Sequence, residues 1–398
     1  MEIRVRNGDS LWYYSRLFGV PEKLIMDSNP GIADDELGIS KTIRIPGYRK
    51  VPYTLLAGDT LWNISTYSGI PEDMLFLLNE ERTVTHFSVG ETIYLPIKET
   101  GTPNRRKTFY DSRQLDLDII YLQNIYPFLR FQVIGKSVLG KPIHEIRIGH
   151  GPRKIHMNAS FHANEWITSL ILMDFIEFYL LSLTNGTELA GTTALALYEQ
   201  VELSIVPMVN PDGVDLVLNG PPQDQRKNLI ELNGGNDEFV HWKANIRGVD
   251  LNNQFPANWE VEKIRKQPKA PAARDYPGDS PLTEPEAIAL ANLAHQNAFS
   301  CIVALHTQGK EFYWGYEGLE PPQSEEIAKE FERKSGYKAV RYVDSHAGYK
   351  DWFIQEFRRP GFTVELGKGI NPLPLSMVDE IIHEVRGLFI SLLSYHLK

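Results

Sequence analysis

Apolar and polar positions alternate over Ile3–Val5, which predicts a short strand. They then recur at helical spacing at Leu11, Tyr14 and Leu17. Asp9 or Ser10 stands where an N-cap is needed, and Gly19 stops the run. Pro21 opens a second helix through Leu24 and Ile25, and Thr42–Ile45 closes the unit as a strand before Pro46. The same pattern then returns. Gly8-Asp9-Ser10-Leu11-Trp12 matches Gly58-Asp59-Thr60-Leu61-Trp62, Asn29 matches Asn79, and Ile45-Pro46 matches Leu95-Pro96, all at an offset of 50. The chain therefore begins with two βααβ units, at 1–47 and 50–97. Trp12, Trp62 and Leu11 are expected to pack in their cores. The loops around Gly8-Asp9 and Asn29-Pro30 are expected to carry any ligand contacts.

Residues 98–108 are polar and hold Gly101 and Pro103, which marks a linker. From 109 to 398 the period changes. Lys154–Ser160, Val201–Pro207, Cys301–Leu305 and Phe362–Leu366 read as strands. Helices are expected from Trp166 to Leu183, from a capping box at Thr283–Glu286 through Ala298, and over Ser376–Tyr395. Strands alternating with helices predict an α/β domain whose mixed, mostly parallel sheet is flanked by helices.

Composition adds exclusions. The 398 residues are 42% hydrophobic and 23% charged, ordinary values for a globular chain. A net charge of -10 argues against nucleic acid as partner. The single cysteine, Cys301, allows no internal disulfide and is expected as a packed thiol. No membrane span is expected, because the most apolar run, Leu170–Leu183, is broken by Asp174 and Glu177. Met1–Gly8 lacks the apolar stretch of a classical signal peptide, which leaves cytoplasm, spore and cell wall open.

Sites in such sheets lie at the carboxyl ends of strands. Three of the predicted strands carry chemistry there. His162 and Glu165 follow the first, His306 follows Leu305, and Glu365 lies within Phe362–Leu366. Catalytic zinc needs three protein ligands, an open position for water and a separate base. His162, Glu165 and His306 fit the ligands, and Glu365 fits the base. A lone His-x-x-Glu is a weak signal; strand-end placement of all four groups strengthens it. No Gly-x-Ser-x-Gly elbow, phosphate-binding Gly-x-x-x-x-Gly-Lys-Ser/Thr or His-Glu-x-x-His occurs.

The N-terminal repeat resembles the LysM module in its Gly-Asp-Ser/Thr-Leu-Trp start, mid-unit Asn and closing Ile/Leu-Pro. That resemblance implies binding to N-acetylglucosamine-containing glycan, such as peptidoglycan. Residues 109–398 resemble the zinc carboxypeptidase family. The carrying stretches are Ala159–Trp166, Val209–Gly213, Gly248–Asn252, Leu305–Gly309 and Phe362–Leu366. The resemblance implies a zinc carboxypeptidase-like fold, Zn2+ on His162, Glu165 and His306, and Glu365 as general base. It also implies a basic residue that polarises the scissile carbonyl, for which Lys243 aligns best and Arg247 is close. An Asn-Arg pair grips the substrate's terminal carboxylate in the family. Here Asn252 is present, but Asn253 stands in place of the arginine and cannot form a bidentate fork. A catalytic tyrosine is also implied, with Tyr342 and Tyr349 as candidates. The Asn253 departure, the Gly367–Leu375 tail and the two leading LysM units look most like the γ-D-glutamyl-L-diamino acid endopeptidases of spore-forming bacteria. That likeness implies cleavage between D-glutamate and diaminopimelate in peptidoglycan stem peptides. Two alternatives stay open: a metallocarboxypeptidase acting on wall peptides, and a catalytically dead wall-binding protein.

Overall fold

The computed structural model describes residues 1–32, 37–38, 41–79, 88–101, 108–189 and 191–395. Most of the predicted linker, residues 102–107, lies outside them. The chain forms two compact units. The first comprises Met1–Pro103, Asp118–Arg130 and Glu177–Ala196, and the second Asn104–Leu117, Phe131–Ile176 and Leu197–Lys398.

In the first unit, β1 (Glu2–Arg4), α1 (Leu11–Phe18), α2 (Glu22–Ser28) and β2 (Thr42–Arg44) form one βααβ module, with β1 antiparallel to β2. The second module repeats it as β3 (Tyr48–Thr54), α3 (Leu61–Ser68), α4 (Glu72–Asn79) and β4 (Thr92–Lys98). The repeat extends to single bonds. Ser10 and Thr60 cap α1 and α3 by accepting the amides of Tyr13 and Asn63. Gly19 and Gly69 end the same helices in the left-handed conformation.

Asn29 and Asn79 are buried clamps in these modules. Each Nδ2 donates to a helix carbonyl (Ile25, Leu75) and a strand carbonyl (Arg44, Tyr94). Each Oδ1 accepts the amide of that same strand residue. These bonds tie α2 and α4 to the closing strands. Leu11 is buried as expected, but Trp12 and Trp62 are 57% and 65% exposed, which corrects the core assignment. Successive helical residues lie about 100° apart, so a buried Leu11 or Leu61 turns its neighbour outward. The modules also join directly, because the Arg6 guanidinium donates to both carboxylate oxygens of Asp73 at 2.6 and 2.8 Å.

The chain continues through α5 (Ser112–Ile125), β5 (Arg130–Lys136), β6 (Pro142–Ile148), β7 (Arg153–Ala159), α6 (Ile167–Thr184) and a small hairpin, β8 (Glu188–Leu189) and β9 (Thr192–Thr193). Next come α7 (Ala194–Gln200), β10 (Val201–Val206), α8 (Pro211–Asn219), α9 (Arg226–Leu232), α10 (Trp259–Arg265) and α11 (Pro285–Gln296). The last elements are β11 (Cys301–Thr307), β12 (Glu311–Tyr313), α12 (Gln323–Ser335), β13 (Lys338–Val340), α13 (Tyr349–Phe357), β14 (Gly361–Leu366) and α14 (Val378–Ser394).

Eight strands form one sheet in the order β13-β12-β14-β11-β7-β10-β6-β5. Its centre, β14-β11-β7-β10, is parallel, whereas β12 is antiparallel to β14 and β6 is antiparallel to β10. This is the mixed, mostly parallel sheet that the sequence predicts. β10 and β11 are buried along their whole length, which explains their near-continuous apolar runs. The stretch Ala163–Thr184 has the length and hydropathy of a membrane span but is 89% buried in the protein, so it is a core helix. The parallel centre gives β7, β11 and β14 a common carboxyl edge, and the candidate site lies on it.

Candidate metal centre and active site

β7 ends at Ala159, and Ser160 then turns the chain with a left-handed φ of 53°. The Ser160 amide donates to Thr168 Oγ1 at 2.9 Å, which fixes the turn. His162 and a 3-10 turn at Ala163–Glu165 follow. His306 arrives from β11, where its register partner on β14 is Glu365. Four groups from three distant stretches of the chain are thus delivered by three adjacent strands.

The ligand atoms converge. His162 Nδ1 lies 2.9 Å from Glu165 Oε1, His306 Nδ1 lies 3.0 Å from Glu165 Oε2, and the two Nδ1 atoms lie 3.1 Å apart. One ligand atom from each of the three buried residues lies within 4.8 Å of the others. Zinc bonds of roughly 2.0–2.1 Å place tetrahedral ligand atoms about 3.3 Å apart, so the cluster has the dimensions of a zinc site. Two imidazole nitrogens facing one another beside a carboxylate are best satisfied by a shared cation.

Burial opposes ionisation of Glu165, but His162 and His306 hold its carboxyl down to about 2. Burial also opposes a charged His162; Glu165 and Asp250 outweigh it and raise the ring's basicity. Burial dominates at His306 and lowers it. For Glu365, burial and the nearby Glu165 charge push the carboxyl up to about 8. A divalent cation among the three ligands would bring that down again.

Residues around the cluster orient it. Asp250 Oδ1 lies 3.2 Å from His162 Nε2, so a carboxylate charge faces that nitrogen and favours a proton on it, which leaves Nδ1 for a metal. Asn371 Nδ2 donates to Glu165 Oε1 at 3.3 Å, and the Thr307 amide donates to Glu165 Oε2 at 3.2 Å. Asp250→Asn is expected to weaken zinc binding by roughly 10–100-fold, measured by competition with a chromogenic chelator; unchanged affinity would remove Asp250 from this role.

The other expected residues divide. Lys243 reaches the site's edge, its ammonium clamped by Asp250 at 2.8 Å and Asp275 at 3.2 Å. Burial opposes its charge, but those two carboxylates keep it firmly protonated. Arg247 is not gathered in; its side chain pairs with Glu284 at 3.6 Å. Asn252 Oδ1 accepts the Tyr349 amide at the start of α13. Asn253 is buried, with Nδ2 donating to Glu262 Oε1 at 3.3 Å. Tyr349 is 0% exposed and packs with Phe161, Phe255 and Trp352. This corrects its candidacy as the tyrosine that meets substrate, because no ligand reaches it without opening the core. Tyr342 is exposed, and its hydroxyl donates to Glu320 at 3.0 Å.

A zinc carboxypeptidase family model matches residues 119–386, and a LysM domain model matches residues 3–46. The chain belongs to the zinc carboxypeptidase family. It is 51% identical to gamma-D-glutamyl-L-diamino acid endopeptidase 1 of Lysinibacillus sphaericus, covering 98% of this chain and 99% of that protein. It is 48% identical to the uncharacterized protein YqgT of Bacillus subtilis, over 73% of this chain and 79% of the relative. Among solved structures, thrombin activatable fibrinolysis inhibitor superposes with a TM-score of 0.58 at 18% identity, covering 74% of this chain and 80% of that one. Carboxypeptidase A from Helicoverpa armigera gives 0.56 at 17%, covering 85% and 86%. These two likenesses establish the shared fold. The chain is therefore a zinc metallopeptidase by family, with a possible zinc site at His162, Glu165 and His306.

Proposed function

We propose that this chain hydrolyses the amide between the γ-carboxyl of D-glutamate and a diamino acid in peptidoglycan stem peptides, while its LysM modules hold it on wall glycan. The observation that carries this reading is 51% identity, over nearly the whole of both chains, to an endopeptidase named for that bond. Asn253 supports it. Where the family places a guanidinium for the terminal carboxylate, this chain has a buried amide engaged by Glu262. The nearby Arg265 is itself spent on both oxygens of Glu262 at 2.8 Å. A substrate whose chain continues past the scissile bond needs no carboxylate fork there.

In this reading His162, Glu165 and His306 hold zinc, which when bound polarises the scissile carbonyl and acidifies water. Glu365 accepts the proton of the attacking water and delivers it to the leaving amine. Asp250 fixes the His162 ring, and Asn371 and Thr307 fix the Glu165 carboxylate. Lys243, clamped by Asp250 and Asp275, supplies a stationary positive charge beside the developing oxyanion. Tyr342 is the candidate tyrosine that a substrate can reach.

Amidation of the substrate's C-terminus tests the reading. An endopeptidase is expected to cleave amidated and free-acid stem peptides at comparable kcat/KM. A carboxypeptidase that grips the terminal carboxylate loses an interaction worth roughly 2–5 kcal/mol, which is about thirty-fold or more in rate. A loss of that size would overturn the proposal.

A further inference from the structure

At the opposite end of the same sheet lies a cavity of about 430 Å³. It forms where β7 and β11 begin, at Arg153 and Cys301, and where Pro360 leads into β14. The metal cluster follows the other ends of these strands, so the cavity is no part of the site described above.

Its lining is strongly one-signed. Arg153, Arg358 and Arg359 contribute three guanidinium groups, joined by Ser300 and by Tyr395, whose hydroxyl donates to Glu326 at 2.7 Å; among the described residues no Asp or Glu lines the cavity itself. The two terminal nitrogens of Arg153 donate to the carbonyls of Leu392 (3.0 Å) and Leu393 near the end of α14. Arg359 Nη1 donates to the Phe299 carbonyl at 2.8 Å. Among the described residues these acceptors are neutral, and none of the three arginines forms an ion pair. Burial makes the charge on Arg153 costlier to hold. Helix-end carbonyls offset part of that cost for Arg153. Arg358 caps α13 with a left-handed φ of 54°; its side chain is exposed and donates no hydrogen bond among the described residues, which leaves it free to turn to a ligand. In a chain of net charge -10, three guanidiniums around one cavity with no ion-pair partner among the described residues are a local departure from the molecule's overall field.

We propose that this cavity binds a phosphate-type oxyanion. Guanidinium forks match tetrahedral oxyanions geometrically, and the ligand would supply a counter-charge that the described residues do not. The source is either free phosphate or the phosphodiester of a polyanionic polymer.

The test is isothermal titration of the full chain with inorganic phosphate and, separately, with a glycerol phosphodiester. Saturable binding of phosphate is expected. Arg358→Asn keeps a residue that tolerates the left-handed conformation, and Arg359→Gln keeps the side-chain bulk. Each is expected to weaken binding by about tenfold or more, since charge-assisted hydrogen bonds are lost. Peptidase activity should be unchanged in both, because neither residue belongs to the metal site. Binding of phosphate alone supports a free-ion site, and binding of both ligands supports a polymer phosphodiester. Absence of saturable binding, or equal binding by correctly folded R358N and R359Q, would overturn the proposal.

Discussion

Glu365→Gln is expected to lower kcat by about 10²–10⁴-fold, the contribution of a positioned general base, with zinc content unchanged. The substitution keeps the side chain's shape and removes only its capacity to take a proton. Glu365 is delivered by β14 opposite His306, beside the cluster but outside the converging ligand atoms. Loss of activity without loss of metal is therefore the signature that separates base from ligand. Burial and Glu165 both raise the Glu365 carboxyl, so the free protein holds a proton there up to about pH 8. Glutamine imitates that neutral form, and the metal-free variant should be as stable as the metal-free parent near neutral pH. If E365Q retains substantial turnover, the base lies elsewhere.

His306→Ala is expected to abolish activity and metal binding together. Three ligands are the minimum for a catalytic zinc site, and His306 is the one brought in from a separate strand. Zinc that binds only the folded chain stabilises it by RT ln(1 + [L]/Kd), which is about 4 kcal/mol at a thousandfold excess over Kd. Zinc should therefore raise the melting temperature of the parent and leave H306A unmoved. The variant also removes one of the two imidazoles that hold the Glu165 carboxyl down to about 2. A melting temperature for H306A that still rises with zinc would contradict the ligand set.

Much of this was legible in the chain because it follows local periodicity. The repeat at an offset of 50 delivered two modules whose caps and clamps agree bond for bond. The parallel strands were legible as apolar runs because both of their faces are covered. The four central groups were legible because strand ends collect chemistry, a rule of topology rather than of contact.

What the sequence hid depends on which way side chains point and what meets them in space. Trp12 follows a buried Leu11, and composition alone does not say that the ring turns outward. Tyr349 and Tyr342 are alike as letters, yet only the packing of Tyr349 against Phe161, Phe255 and its helix neighbour Trp352 shows that it is sealed. Asp250 and Asn371 stand within stretches that matched the family and the endopeptidase pattern. Their support of His162 and Glu165 spans 88 and 206 residues, and no local pattern carries it. Arg247 neighbours Lys243 in sequence, but its side chain goes to Glu284 at the start of α11.

The central claim concerns one bond. It is tested most directly by incubating the zinc-loaded chain with the stem tetrapeptide L-Ala-γ-D-Glu-diaminopimelate-D-Ala and identifying the products by mass spectrometry. L-Ala-D-Glu together with diaminopimelate-D-Ala is the predicted result. Release of free D-Ala alone would contradict it and make the chain a carboxypeptidase.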